Sequence, residues 1–123
     1  MAQWADFAIR AREEPSHFVE EETDWYIVLV DPAPPHRRQY ISHQSIGGMD
    51  FIQVLSKIGR VDSIDLFRAF DSVAQKLCGL THMDDEIAIK LVVPLRGFDL
   101  TDWRWPLAAM SVYLNEVIDD AHR

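Results

Sequence analysis

The chain has 123 residues, of which 48% are hydrophobic and 26% are charged, and its formal net charge is −8. This length suits one compact domain, and the composition is that of a folded globular protein and not of a disordered or fibrous one. The net negative charge disfavours nucleic-acid binding and docking on anionic lipid, because both require cationic surface.

Cysteine content and hydropathy bear on the compartment. A single cysteine, Cys78, excludes an internal disulfide and favours a reducing environment. The first ten residues lack the apolar run of a signal peptide, and no stretch approaches the ~20 apolar residues of a membrane span. We therefore expect one cytoplasmic domain over residues 1–123, with no nucleic acid and no membrane among its partners.

The first half of the sequence predicts one helix and three strands. Residues 3–14 place Trp4, Phe7, Ala8 and Ala11 on one helical face, although the alternation of Phe7, Ile9 and Ala11 leaves a strand as the alternative. Pro15 ends this element. The three strands, separated by a proline-rich loop (Pro32, Pro34, Pro35) and by a Gly47-Gly48 turn, are predicted over Asp24–Val30, Arg38–Gln44 and Phe51–Ile58.

The next segment predicts a long amphipathic helix. Asp62 or Ser63 is a suitable N-cap, and Gly79 stands at the expected position after the C-terminus. The apolar positions follow helical spacing and are expected to cover the sheet; they are Leu66, Phe67, Phe70, Val73, Ala74 and Leu77.

The last third predicts a hairpin and a closing helix. Leu80–Met83 and Glu86–Val93 flank a turn at Asp84-Asp85 and alternate as strands with one buried face do. A final helix opens at Thr101 or Asp102. Its main apolar stripe consists of Leu107, Met110, Leu114, Val117, Ile118 and Ala121, and a second stripe consists of Trp105, Ala108 and Val112.

These elements define a fold class. Their order is α-β-β-β-α-β-β-α, which predicts an α+β domain with an antiparallel sheet of about five strands and helices packed on it.

The pattern from residue 50 to residue 121 resembles a known superfamily. A strand with a small turn (Phe51–Arg60), a helix (Asp62–Leu77) and a hairpin around Asp84-Asp85 are followed by the strand exit Val93-Pro94-Leu95. After these come the helix start Asp99-Leu100-Thr101 and a closing helix that ends in Asp119-Asp120. Together they resemble the YbjN and type III secretion chaperone-like superfamily. The resemblance implies a homodimeric, cytoplasmic domain that binds a partner polypeptide on sheet and helix surfaces and performs no chemistry.

Residue types that carry catalysis or bind metal are present without the spacing that those roles need. The five histidines are scattered singly, so no zinc-ligand spacing occurs. Ser63 lies in an Asp-Ser pair similar to the attachment site of carrier proteins, but such a pair is ordinarily an N-cap. Cys78 is better explained as a small half-buried residue than as a nucleophile. We expect no cofactor, no metal and no enzymatic activity.

Aromatic residues are the stronger signal. Trp103 and Trp105 flank Arg104 at the start of the last helix. Both tryptophan and arginine are enriched at interface hot spots. Tyr26 and Val28 lie on the outer face of the first predicted strand. We predict that a partner or dimer interface involves Tyr26, Val28, Trp103, Arg104, Trp105 and Val112.

A second class of function fits the same composition. Small acidic domains can neutralise basic toxins by electrostatic complementarity, as immunity proteins do. That function requires one contiguous acidic face, for instance Glu20–Glu22 together with Asp84–Glu86.

Overall fold

The computed structural model describes residues 3–98 and 100–122 and shows an α+β fold, as the sequence predicts. In chain order the elements are α1 (Trp4–Arg12), β1 (Phe18–Glu22), β2 (Tyr26–Val30), β3 (Arg38–Ile46), β4 (Met49–Arg60), α2 (Leu66–Val73), β5 (Gly79–Met83), β6 (Glu86–Pro94) and α3 (Trp105–Ala121). A short 3₁₀ turn, Leu100–Asp102, precedes α3. Asp99, predicted to begin the last helix, lies outside the described residues.

All described strands form one antiparallel sheet in the order β1-β2-β3-β4-β6-β5. The strand that the sequence prediction missed is β1, so the sheet has six strands and not about five. Phe18 pairs with Val30 and Glu22 with Ile27, with a bulge after Val19. An edge strand tolerates such exposed glutamates because its outer side faces water.

One face of the sheet carries the core. Along β4, Ile52, Val54 and Ile58 are buried, while the alternate side chains are only half-buried. The helices pack on this face: the Gln39 amide donates a hydrogen bond to the carbonyl of Leu107 in α3 (3.3 Å). Among the described residues no helix covers the opposite face, which we call the open sheet face.

Helix α1 confirms the helical alternative for residues 3–14. Trp4, Phe7, Ala8 and Ala11 are its buried residues, as a helical face requires. The Trp4 ring stacks on His43 of β3, with centroids 5.8 Å apart, which fixes α1 against the sheet.

Helix α2 is shorter than predicted. It begins after Asp65, whose carboxylate accepts a hydrogen bond from the Arg68 amide (3.1 Å), so the N-cap is neither Asp62 nor Ser63. The Ser63 hydroxyl instead donates to the Arg60 carbonyl (3.0 Å). Gly79 opens β5 and does not close the helix. The start of α2 is tied to the end of α3, because the Asp65 amide donates to the Ala121 carbonyl (2.7 Å).

Helix α3 buries the predicted main stripe. Leu107, Met110, Leu114, Val117 and Ala121 are buried, and Ile118 packs against the core at its margin. The helix starts at Trp105 and not at Thr101 or Asp102. Pro106 lies in its first turn, where proline is favoured because its missing N–H would have no helical partner.

Candidate functional site

Helix α2 is rotated about its axis relative to the packing that its sequence predicts. The buried residues are Ala69, Ser72 and Val73, whereas Phe67 is 85% exposed and Phe70 is 56% exposed. Of the residues predicted to cover the sheet, Val73 is buried and Leu66 packs against the core, whereas the prediction is wrong for both phenylalanines.

Small and polar contacts between α2 and α3 explain this orientation. The Ser72 hydroxyl donates to the Asp120 carboxylate (2.8 Å), and Lys76 forms an ion pair with Glu116 (3.1 Å). Lys76 Nζ also donates to the Ser72 carbonyl (2.8 Å). Since Ala69, Ser72 and Val73 fill the space beside α3, the phenylalanine rings have no room on that side.

We call the surface formed by Phe67, Phe70 and Leu77 the α2 outer face. Leu77 follows α2 by one turn and is 76% exposed. At about 200 Å² for a phenylalanine side chain, the three residues leave on the order of 400 Å² of apolar area in water. Phe67 and Phe70 are neighbours at i, i+3 on one helix, and exposed apolar groups that lie together on a soluble protein mark an interaction surface more often than scattered ones do.

A polar hollow borders another side of α2. It has a volume of about 540 Å³ and lies between α2 and the end of α3, lined among others by Arg68, Asp71, Asp119 and Asp120. An apolar centre with a charged border is the usual composition of a protein–protein contact.

The sheet edge beside α2 carries fewer features that oppose strand pairing than the other edge does. Strand β5 has the sequence Gly-Leu-Thr-His-Met, without a carboxylate, lysine or arginine, and it packs against α2. The other edge, β1, carries Glu20, Glu21 and Glu22 and a bulge, features that oppose further strand pairing. An extended polypeptide could therefore add to β5 and place apolar side chains on the α2 outer face.

The residues predicted at the start of α3 separate into buried and exposed ones. Trp103 is 8% exposed and contacts Phe7 edge to face at a centroid distance of 6.3 Å, so its ring is part of the core. Arg104 lies over that ring and forms an ion pair with Glu14 (2.9 Å). Trp105 and Val112 are exposed. The prediction that Trp103 contributes to an interface is therefore wrong, because its ring is buried in the core. An interface role for Arg104, Trp105 and Val112 stays a prediction.

The two β2 residues predicted to make an interface, Tyr26 and Val28, also differ in their exposure. Val28 is buried, because Tyr40 and Glu21 lie opposite it on the neighbouring strands, so it offers no surface to a partner. Tyr26 is half-buried, and its hydroxyl donates to the Glu21 carboxylate. This hydrogen bond raises the pKa of Tyr26. The sequence thus predicted an interface on β2 and at the start of α3, and it did not predict the exposed α2 outer face.

Two observations concern the groups that could carry chemistry or bind metal. Burial raises the pKa of the Cys78 thiol, which lowers its thiolate fraction at neutral pH. Within the described part of the chain, no group of three or more His, Cys, Asp or Glu side chains is placed to hold a metal ion. The described helices include none that is both long enough and apolar enough to cross a membrane.

Comparison of the chain with protein-family models, with curated proteins and with solved structures gave no match.

Proposed function

We propose that this protein is a non-enzymatic, cytoplasmic polypeptide-binding module of the kind that secretion chaperones and YbjN proteins represent. The observation that carries the proposal is the exposure of Phe67 and Phe70 on α2 and of Leu77 just after it. Exposed aromatic side chains lower the solubility of a monomer, and a partner that covers them recovers the free energy of their burial.

The partner is a polypeptide that presents apolar side chains. The α2 outer face supplies roughly 400 Å² of the ~800 Å² that each side of a standard interface buries. The uncharged edge of β5, next to it, supplies backbone hydrogen-bonding groups for an added strand. A second copy of the chain is the other candidate occupant and gives the homodimer that the resemblance implies.

The test compares capture by two variants that carry the same type of substitution, phenylalanine to serine, on different surfaces. Phe67→Ser combined with Phe70→Ser removes the aromatic face, and Phe18→Ser removes a ring that is 50% exposed on the β1 edge. We expect wild type and Phe18→Ser to retain one defined polypeptide from the native host, identified by mass spectrometry, and the double variant to lose it.

Light scattering at several protein concentrations distinguishes the occupants. If a second copy covers the face, wild type is a dimer and the double variant is a monomer. Identical captured polypeptides and identical masses for wild type and the double variant would refute the proposal.

The charge distribution is less compatible with an acidic immunity-type function than with polypeptide binding. Glu20–Glu22 lies on edge strand β1, whereas Asp84–Glu86 lies at the β5–β6 hairpin, roughly 20 Å away across the sheet. Several of these carboxylates are also paired: Glu22 with Arg12, Glu20 with Arg38, and Asp85 with Arg60. The acidic groups expected to form one contiguous face are thus apart and partly neutralised.

A further inference from the structure

A hollow of about 220 Å³ lies between the proline-rich loop and α3, on the side of the sheet that carries the helices. We call it the proline-loop hollow. Its polar lining includes Asp31, Arg37, Gln39 and Ser111, and Leu114 contributes apolar wall. Pockets for drug-sized ligands begin at ~300 Å³, so an occupant of this hollow is smaller than that class.

The strand register turns Asp31 and Arg37 toward the proline-loop hollow. Strands β2 and β3 pair Leu29 with Gln39, and both side chains are buried on the core face. Two residues further, the Asp31 amide donates to the Arg37 carbonyl (3.0 Å), which continues this pairing. Because side chains alternate along a strand, Asp31 and Arg37 project from that same face. Arg38, which lies between Arg37 and Gln39, projects from the open sheet face.

Gln39 has a buried acceptor without a donor. The residue is 3% exposed, and its Nε2 donates to the Leu107 carbonyl (3.3 Å) and to the Ser111 hydroxyl (3.0 Å). A carbonyl oxygen only accepts, so the contact with Leu107 fixes the orientation of the amide. Its oxygen, Oε1, is buried and receives no hydrogen bond from the described residues. Such an acceptor costs free energy, and an N–H group of a ligand would remove that cost.

Arg37 has the opposite deficiency. Its Nη1 is buried and finds no acceptor in the described part of the chain, so it does not donate to Gln39 Oε1 either. A charged N–H group that has lost water and gained no acceptor is especially costly. The carboxylate of a ligand would supply the acceptor.

Asp31 adds a carboxylate that no cation compensates. Among residues 3–98 and 100–122, no ion pair includes Asp31 or Arg37, so the two charged groups lie beyond ion-pair distance of each other. Asp31 Oδ1 accepts a hydrogen bond from the Ala33 amide (2.9 Å). The proline-loop hollow thus brings together a guanidinium without an anion, a carboxylate without a cation and an amide oxygen without a donor.

We propose that the proline-loop hollow binds a small zwitterion, an amino acid with a free carboxylate and a free ammonium group. Arg37 binds the carboxylate, because a guanidinium matches its paired oxygens through parallel hydrogen bonds. The ammonium group has three donors and binds the Asp31 carboxylate and Gln39 Oε1. Asp31 would repel an anion and Arg37 would repel a cation, so this pair of charges favours a ligand that carries both.

This site is apart from the surface that carries the proposed function. The sheet order places β4 and β6 between β3, which holds Arg37 and Gln39 at its start, and β5, which packs against α2. Binding of a zwitterion is therefore independent of polypeptide binding at the α2 outer face.

The test is a titration followed by NMR at constant ionic strength, with three probes of similar size. L-Alanine carries both charges, propionate lacks the ammonium group, and ethylammonium lacks the carboxylate. We expect saturable shifts with L-alanine at the amides of residues 31, 37 and 39 and at the side-chain amide of Gln39. Propionate and ethylammonium should each bind at least tenfold more weakly, because each loses one charge-assisted contact.

Variants of neighbouring residues separate this site from general charge attraction. Arg37→Gln and Asp31→Asn should each weaken L-alanine binding about tenfold. Asparagine retains an oxygen for the Ala33 amide, so Asp31→Asn preserves the loop. Arg38→Gln removes the same charge one residue away and should leave binding unchanged. Arg38 lines a hollow on the open sheet face that Arg37 also borders, so this control also distinguishes the two hollows.

The amide spectrum of each variant reports whether it is folded. Absence of a saturable shift with L-alanine would mean that water alone fills the hollow and would overturn the proposal. Binding of propionate as tight as that of L-alanine, or equal weakening by Arg37→Gln and Arg38→Gln, would overturn it as well. The capture test on the α2 outer face would be unaffected by any of these results.

Discussion

Replacing Phe67 by alanine should hardly change the stability of the protein, although the same substitution in a core costs ~3–5 kcal/mol. Phe67 is 85% exposed, so only roughly 30 Å² of its ~200 Å² side chain is buried, worth about 0.8 kcal/mol at 25 cal/mol per Å². The higher helix propensity of alanine offsets about 0.5 kcal/mol of this. The net change in the free energy of unfolding should stay within ~0.5 kcal/mol.

Val73→Ala is the matched control on the inner face of the same helix. Val73 is 7% exposed, and truncation of its buried side chain should cost ~1–2 kcal/mol after the same propensity gain. The smaller deletion should therefore be the more destabilising one. This reversed order follows only if α2 packs with its aromatic side outward.

Urea unfolding followed by tryptophan fluorescence measures both changes, since Trp4 and Trp103 are buried reporters. The midpoints should be recorded at two protein concentrations, because dimerisation through this face would make the midpoint depend on concentration. A loss of ~3 kcal/mol or more in Phe67→Ala, together with a harmless Val73→Ala, would refute the described orientation of α2.

Three further predictions concern packing and ion pairs. Ala69→Leu should cost ~1–3 kcal/mol in chemical unfolding, because Ala69 is fully buried and the added atoms have no space; unchanged stability would contradict this packing. Gly59→Ala should cost ~1–3 kcal/mol by the same assay, because Gly59 has φ +149° and an added Cβ would lie 3.1 Å from the Ile64 side chain. The Arg12 guanidinium lowers the pKa of Glu22 from its usual 4.5 through hydrogen bonds. Because the pKa of Glu22 is lower in the folded state, its ionised carboxylate stabilises the fold above pH 4.5, and this stabilisation is lost as the pH falls through the folded-state pKa. Thermal unfolding from pH 7 to pH 3 should therefore show a smaller loss of stability in acid for Glu22→Gln than for wild type.

The sequence predicts the fold correctly for those elements that bury one face with a regular helix or strand spacing. The buried face of α1 and the main stripe of α3 follow helical spacing, and β4 alternates as a strand with one buried face does. Strand β1 escaped prediction because its side chains are mostly exposed, and Phe18, its large apolar residue, is half in water. Its pairing with β2 is visible only once the sheet exists.

The candidate site could not be predicted, because α2 has two stripes with helical spacing. One stripe contains the phenylalanines, and the other contains Ala69, Ser72, Val73 and Lys76, at the same i, i+3, i+4, i+7 spacing. Hydrophobicity alone selects the first stripe. The second is buried through contacts of Ser72 and Lys76 with residues of α3 more than 35 positions away, which no local pattern contains.

The position of β6 in the sheet also matters while the chain is being made. Strand β4 pairs with β3 on one side and with β6 on the other, although α2 and β5 come between them in sequence. On a nascent chain the second edge of β4 therefore stays unpaired from the time β4 leaves the ribosome until β6 has followed it, ~2–7 s at ordinary synthesis rates. A pause after β4 has left the ribosome and before β6 has done so would hold the longest strand of the sheet with one edge open to other chains.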